Sequence, residues 1–235
     1  MGHYNKGIES QKTIIKACEA LFYEKGYAAT TYKDIGEKAN VRVGIISYHF
    51  GNVLAIATQI ASEEIDKIQQ RVREVFVDKE APDIVLATVG YLVYLDVFFR
   101  DWKYRRFHVE LEAASMEKYD PLGGKEYNNQ YSELTTAIYK NEYYELLPKD
   151  NPLLVEFYFS LLPFINLAVS RFCCEHLGEL TPELALRYSL DFLYRMYHFE
   201  EQEFDDIINQ SVALKDQLLI GNDGFRVMIQ RKDQR

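Results

Sequence analysis

Apolar residues in the first fifty positions recur at helical spacing. Ile14, Cys18, Leu21 and Phe22 keep the i, i+4, i+7, i+8 rhythm of an amphipathic helix, and Gly26 follows one turn later as a terminating glycine. Ile35 and Ala39, four apart, predict a short second helix with both side chains inward. Ahead of it, Thr31-x-x-Asp34 reads as a capping box: the hydroxyl accepts the Asp34 N–H and the carboxylate bonds back. Asn40 is the turn residue, one of the few that tolerates a left-handed backbone. Val41 is apolar straight after it. Ile46 and Phe50 then give a third helix its inward face and turn positions 42, 43, 47 and 48 outward.

From residue 52 the pattern stays helical, with no strand alternation and no internal repeat. A long helix over 52–77 carries Leu54, Ala57, Ile60, Ala61, Ile65 and Ile68, and Ala81-Pro82 breaks it. A strongly apolar helix spans 83–100, and another runs over 103–118. Asp120-Pro121-Leu122-Gly123-Gly124 is a loop by its turn residues. A helix over 125–146 ends before Pro148 and Pro152. Long helices over 153–177 and 182–219 follow, separated by Gly178 and Thr181-Pro182. The expected fold class is all-α. It has an N-terminal three-helix unit with a helix-turn-helix (1–51), a larger helical unit (52–220), and a polar, frayed C-terminal tail (221–235).

Charge sharpens this division. The 235 residues carry a net charge of −9. Residues 1–50 hold seven Lys/Arg against five Asp/Glu, and the rest hold twenty against thirty-one. An acidic body repels phosphate, so nucleic-acid contact belongs to the first fifty residues. The N-terminus shows no secretory pattern, and the most apolar run, 157–169, is too short to span a bilayer. A cytoplasmic location with no membrane partner is expected. Three cysteines, two adjacent as Cys173-Cys174, match neither zinc spacing nor a disulfide framework. The expected metal and cofactor sets are both none. Buried packing is the default for these thiols, with redox sensing at Cys173 or Cys174 as the alternative.

The N-terminal residues resemble the DNA-binding domain of the TetR family of transcriptional regulators. The resemblance covers residues 11 to 56. It rests on Ile14-Ile15-x-Ala17, Leu21-Phe22-x-x-x-Gly26-Tyr27, Thr31-x-x-Asp34-Ile35, Ala39-x-Val41 and Tyr48-His49-Phe50. It implies a double-stranded DNA operator as partner, read through Thr31, Tyr32, Lys33, Arg42, Val43, Gly44, Ser47, Tyr48 and His49. Arg42 is suited to a guanine edge, and Val43 or Ile45 to a thymine methyl. A solvated surface charge is the plain alternative for Arg42. Gly44 costs roughly 1 kcal/mol in a helix relative to alanine, which suggests close approach of a neighbouring helix or of DNA. Three positions depart from the family pattern. Ile45 replaces a usual Thr or Ser, Ser47 a frequent Tyr, and Val53 a common Lys. Each loses a group that in the family commonly holds the DNA backbone, so binding weaker or less salt-dependent than the family norm is expected.

The resemblance further implies a homodimeric repressor whose body binds an unknown small-molecule effector and shifts the helix after residue 52 like a lever. Apolar stripes at Leu154, Tyr158, Leu161, Leu162, Ile165 and Val169, and at Leu186, Leu190, Leu193 and Tyr197, are the expected dimer faces. They serve equally well as monomer core. For the effector, candidate contacts are Tyr91, Tyr94, Phe98, His108, Glu112, Tyr131 and Phe164, with Asn166 as an orienting polar group. His108 and Glu112, four apart, share a helix face as a ligand or metal pair, or as an ordinary ion pair at a solvated face. No nucleophile–base pair, carboxylate cluster or phosphate-cradling loop suggests an enzyme. A protein of this fold that has lost DNA binding and acts as an adaptor is the alternative function.

Overall fold

A computed structural model describes residues 2–117, 164–165, 167–196 and 200–234 of the chain. The first three helices are α1 (Gly2–Lys25), α2 (Tyr32–Ala39) and α3 (Val43–Phe50). Ile14, Cys18, Phe22, Ile35 and Ile46 are wholly buried where they meet. The capping box forms as its spacing predicts. Thr31 Oγ1 accepts from the Asp34 N–H, and Asp34 Oδ2 accepts from the Thr31 N–H at 2.7 Å. Asn40 takes the left-handed conformation (φ 52°) and ends α2. Gly36 lets the turn close on α2, because a Cβ there would sit 3.0 Å from the Val41 carbonyl oxygen.

Helix α4 (Val53–Val75) begins at Asn52, whose Oδ1 accepts from the Ala55 N–H at 2.8 Å. Helices α5 (Asp83–Arg100) and α6 (Trp102–Glu117) follow, then α7 (167–175), α8 (Pro182–Met196) and α9 (Glu201–Lys215). Helix α5 is apolar nearly all round because α4, α6, α8 and α9 all pack against it. Gly90 on α5 permits the closest part of that packing. The Gln69 side chain of α4 lies where a Cβ would be and donates to the Ala87 carbonyl at 3.1 Å.

Two expectations fail at the C-terminal end. The helix expected over 182–219 is two helices, and Glu203 of the second accepts from the Glu200 N–H at 3.2 Å. No proline or glycine marks that break. The frayed tail is instead an antiparallel hairpin, β1 (Leu218–Asp223) and β2 (Arg226–Arg231), closed by a short 3-10 turn (Lys232–Gln234). Gly224, at the first loop position, has the positive φ (60°) that tight hairpin turns require. Ile220 and Ile229 are cross-strand partners, and an arginine from the body covers the outward carbonyl of each. Arg100 of α5 donates to Ile220 and Arg71 of α4 to Ile229, both at 3.1 Å. This blunts both edges of a sheet that has only two strands.

Phe225, beside Gly224 in the hairpin loop, anchors the hairpin tip. Its ring lies 4.4 Å from that of Phe107 and 5.7 Å from that of Tyr23, so it touches both α6 and α1. Asp101 completes the junction. Its Oδ2 accepts from the Tyr23 hydroxyl (2.6 Å) and from Asn222 Nδ2 (2.7 Å), while Oδ1 caps α6 through the Lys103 N–H (2.9 Å). Burial raises the Asp101 carboxyl's pKa, but these hydrogen bonds outweigh it and leave the group below its ordinary range. Burial and the bond to Asp101 push the Tyr23 hydroxyl up to about 12.

Candidate nucleic-acid interface

The outer face of α3 is built by one buried residue and the positions around it. Ile46 anchors the helix, and Arg42, Val43, Gly44, Ile45, Ser47 and Tyr48 are all exposed. Tyr48 is 82% exposed, an unusual placement for a phenol in a folded unit. Its ring meets His49 edge-on at 5.1 Å. Arg42 occupies the N-cap position of α3 without a side-chain capping bond, and it pairs with no other described residue. A Cβ added at Gly44 would meet nothing within 4 Å. Close approach of a neighbouring helix is therefore not the reason for that glycine.

At the start of α2 the polar groups are partly committed. The Thr31 hydroxyl donates to Asp34 Oδ2 at 2.6 Å as well as accepting from the Asp34 N–H. Lys25, 2.6 Å away, and Thr31 hold the Asp34 carboxyl well below the usual carboxylate range. Lys33 extends into solvent with only a loose pair to Glu37 at 3.9 Å. Tyr32 makes a long bond, 3.4 Å, to the Gly51 carbonyl and so ties the start of α2 to the end of α3. Of the departing positions, Val53 is half-buried against the core, whereas Ile45 and Ser47 face outward.

The end of α1 is joined to α6 rather than left free. Glu110 Oε2 accepts from the Ala28 N–H at 3.0 Å, and Arg106 donates to the Tyr23 carbonyl at 3.0 Å. Gly26 combines a φ of +92° with close contact to Glu110, whose Oε2 would lie 2.7 Å from an added Cβ. These contacts tie α6 directly to the end of α1 and the segment that follows it.

The effector candidates in the body are partly assembled. Tyr94 stacks on Tyr91 at 5.9 Å and meets His108 edge-on at 5.1 Å, with Phe98 against its other side. The expected pairing of His108 with Glu112 at a solvated face does not hold, because each side chain is turned inward and meets a different helix. His108, itself buried, has Nε2 3.3 Å from Glu64 Oε2 on α4. Glu112 accepts instead from the Ser170 hydroxyl at 3.0 Å. Phe164 is exposed rather than drawn into this cluster, and Tyr131 and Asn166 lie outside the described residues. Among the described residues no group of three or more His, Cys, Asp or Glu is arranged to hold a metal ion.

Sequence reasoning missed Glu64 and Tyr104, although Glu64 had a signal. It sits between Ile60 and Ile68 at four-residue spacing on the buried stripe of α4, where a carboxylate is out of place. It is 4% exposed and accepts a short hydrogen bond from the wholly buried Tyr104 hydroxyl. Burial drives the Tyr104 hydroxyl well above its ordinary value, and the Glu64 charge adds to this. Burial also lifts the Glu112 carboxyl to about 8, with the Ser170 bond offsetting only part of it. Burial likewise pushes the Cys18 thiol up to about 12 and the Cys173 thiol up to about 11, which favours their protonated forms.

Of the apolar stripes expected as dimer faces or as monomer core, only part lies among the described residues. Leu186 and Leu190 fill the core of the protomer itself. Among the described residues of this region the exposed aromatics are Phe164, Phe172 and Tyr188, the last two 6.3 Å apart. Leu154, Tyr158, Leu161, Leu162 and Tyr197 lie outside the described residues, as does the side chain of Leu193. No single described helix is long and apolar enough to cross a membrane.

Comparison with known proteins agrees with the geometry of the N-terminal unit. Residues 14–56 match the family described as bacterial regulatory proteins, tetR family. The HTH-type transcriptional regulator TtgR of Pseudomonas putida is 48% identical over 44 residues, 19% of this chain and 21% of TtgR. The probable HTH-type transcriptional regulator ArpR of Pseudomonas putida matches to the same extent. The match thus spans about a fifth of the length of these curated relatives. The crystal structure of RolR without ligand covers 84% of this chain and 96% of its own, with a TM-score of 0.53 and 13% identity, a likeness of fold. Residues 14–56 of this chain, which form its helix-turn-helix unit, are thus similar in sequence to the tetR family of bacterial regulatory proteins.

Proposed function

We propose that this protein is a ligand-responsive, sequence-specific transcriptional regulator, a repressor that binds a palindromic operator as a homodimer and leaves it when a small hydrophobic or aromatic molecule enters the body. The observation that carries this reading is the outer face of α3. Arg42 and Tyr48 stand exposed on a helix that follows the capped α2 through the left-handed turn at Asn40 and is anchored by the buried Ile46. No packing among the described residues accounts for that face. The names of TtgR and ArpR, both HTH-type transcriptional regulators, support the same reading.

In this reading Arg42 reaches a guanine edge, while Val43 and Ile45 lie against thymine methyls. Gly44 leaves room for the DNA backbone or a base edge, since nothing in the protein occupies that space. Two readers, joined through the exposed aromatics Phe164, Phe172 and Tyr188, meet half-sites one or more helical turns apart. The effector acts through α4, which starts three residues after α3 ends, and through the α6 contacts to Tyr23 and Ala28. It must favour the released state, and that preference sets the size of its effect.

Selection of duplexes from a random pool by the purified protein at low salt tests this. A palindrome should be enriched, and Arg42→Ala and Tyr48→Ala should each weaken its binding by about 1–3 kcal/mol without loss of helicity. Its affinity should fall with salt less steeply than a reader with a full set of phosphate contacts, because Ile45 and Val53 offer none. No enrichment at any salt would favour the adaptor instead.

A further inference from the structure

The C-terminal hairpin is seated on the body and reaches the reader with its tip. Its strands pack on α4 and α5, where Leu218 and Ile229 are buried. Arg231 of β2, itself 9% exposed, donates to both oxygens of Asp78 at 2.8 Å, just beyond the end of α4. Arg71 and Arg100 hold the strand carbonyls from α4 and α5. A two-stranded sheet is marginal by itself, so these anchors make the body its support. At the tip, Asn222 Nδ2 donates to the Gly224 carbonyl at 3.1 Å as well as to Asp101, which holds the loop carrying Phe225 in shape.

Four aromatic rings from three parts of the chain meet at that tip. Phe22 of α1 stacks on Phe107 of α6 at 5.6 Å, Phe107 meets Phe225 at 4.4 Å, and Phe225 meets Tyr23 of α1 edge-on at 5.7 Å. Phe22 belongs to the wholly buried core shared by α1, α2 and α3, so its seat is also the seat of the helix-turn-helix. Tyr23 is held on other sides as well. Asp101 accepts from its hydroxyl at 2.6 Å, and the Lys103 ammonium lies 5.2 Å from its ring centre. Asp101 Oδ2 accepts from Tyr23 and Asn222 together, so one oxygen couples the reader to the hairpin.

We propose that the hairpin is a strap that sets the angle of the reader against its own body, and through that angle the separation of half-sites the regulator accepts. The second part rests on the homodimeric regulator proposed above. The chain itself joins reader to body once, through Gly51 and Asn52 into α4. A second fixed point at the end of α1 turns that pivot into a set angle. Two strapped readers on a common dimer then match one half-site separation. Unstrapped readers keep the α3 surface, hence the half-site sequence, and lose the restriction on separation.

The test compares the full chain with Tyr23→Phe, Asn222→Ala and Phe225→Ala, and with a chain ended after Gln217. Tyr23→Phe keeps its ring and removes only the hydroxyl, so it decides the matter even where the shortened chain fails to fold; helicity checks each. Spin labels at Lys38→Cys on α2 and Glu201→Cys on α9, both exposed positions, read the reader-to-body distance without DNA. Cys174→Ser removes the half-buried natural thiol, and dilution with unlabelled chain confines the reading to one protomer. The wild type should give one narrow distance, at least doubled in width by Phe225→Ala and widened less by Tyr23→Phe and Asn222→Ala. In selection from a random duplex pool, the wild type should enrich one half-site separation and Phe225→Ala the same half-sites at several. A broad wild-type distance, or equal widths in every folded variant, would overturn the strap. Widened distances with a single unchanged separation would overturn its hold on the operator. If the wild type enriches no DNA, the proposed function fails while the distances still decide on the strap.

Discussion

In the reader, the polar groups that form bonds lie at helix ends: Thr31 and Asp34 cap α2, Asn40 ends it, and Asn52 starts α4. The side chains left without partners there, Arg42 foremost, point into solvent. In the body the arrangement is reversed. Glu64, His108 and Glu112 lie inside, with buried atoms left unmatched. Open groups on a surface cost little because water serves them, whereas open groups in a core cost stability. The two regions are held together by the α1–α6 junction, where Asp101, Glu110 and Phe225 meet Tyr23 and Ala28.

Breaking that junction should have the largest effect. Phe225→Ala removes a ring buried between α1 and α6 and should cost about 3–5 kcal/mol, read by chemical denaturation. If reader and body were independent, the transition would split in two; a single shifted transition would show that the junction makes them one unit.

The buried carboxylates come next. The Glu112 carboxyl holds its proton more tightly folded (about 8) than unfolded (near its ordinary 4.5). Its contribution therefore favours the folded state at low pH, and that advantage is lost as pH rises from about 4.5 to 8. Melting temperatures across that window should fall for the wild type and fall less for Glu112→Gln, so that the variant is the more stable protein at pH 8.

Within the reader the effects are smaller. Thr31→Ala should cost about 1 kcal/mol through loss of the N-cap. Gly44→Ala should instead stabilise the fold by up to about 1 kcal/mol, because the added methyl meets nothing and alanine favours the helix. Under the proposed function the same methyl weakens operator binding. A variant that melts higher and binds DNA less tightly would separate the two demands on position 44.

Much of the reader was legible in the sequence because its signals are local. The capping box, Asn40 and the Ile46–Phe50 spacing each need only a few neighbouring residues to be read, and their burial and exposure follow from helical geometry. The body was less legible because its distinctive features join distant positions. The partner of His108 is forty-four residues back on α4, not four residues ahead on α6. The partner of Glu112 is on α7, and neither distance has a sequence signature. The hairpin is a different case. Asp223-Gly224 and the alternation of Val227, Ile229 and Arg231 were on view, but a polar reading of the segment hid them. The break between α8 and α9 carries no residue that would announce it.

The place of Phe225 in the chain has a consequence for biosynthesis. A ribosome releases the helix-turn-helix well before the hairpin, which follows it in the chain. The contacts that join it to the hairpin wait for that later segment, because Phe225 and Asn222 complete the seat of Tyr23. Until the hairpin is made, or after it is clipped away, the rings of Tyr23 and Phe107 lack the cover that Phe225 gives them, and an aromatic seat between α1 and α6 stands open.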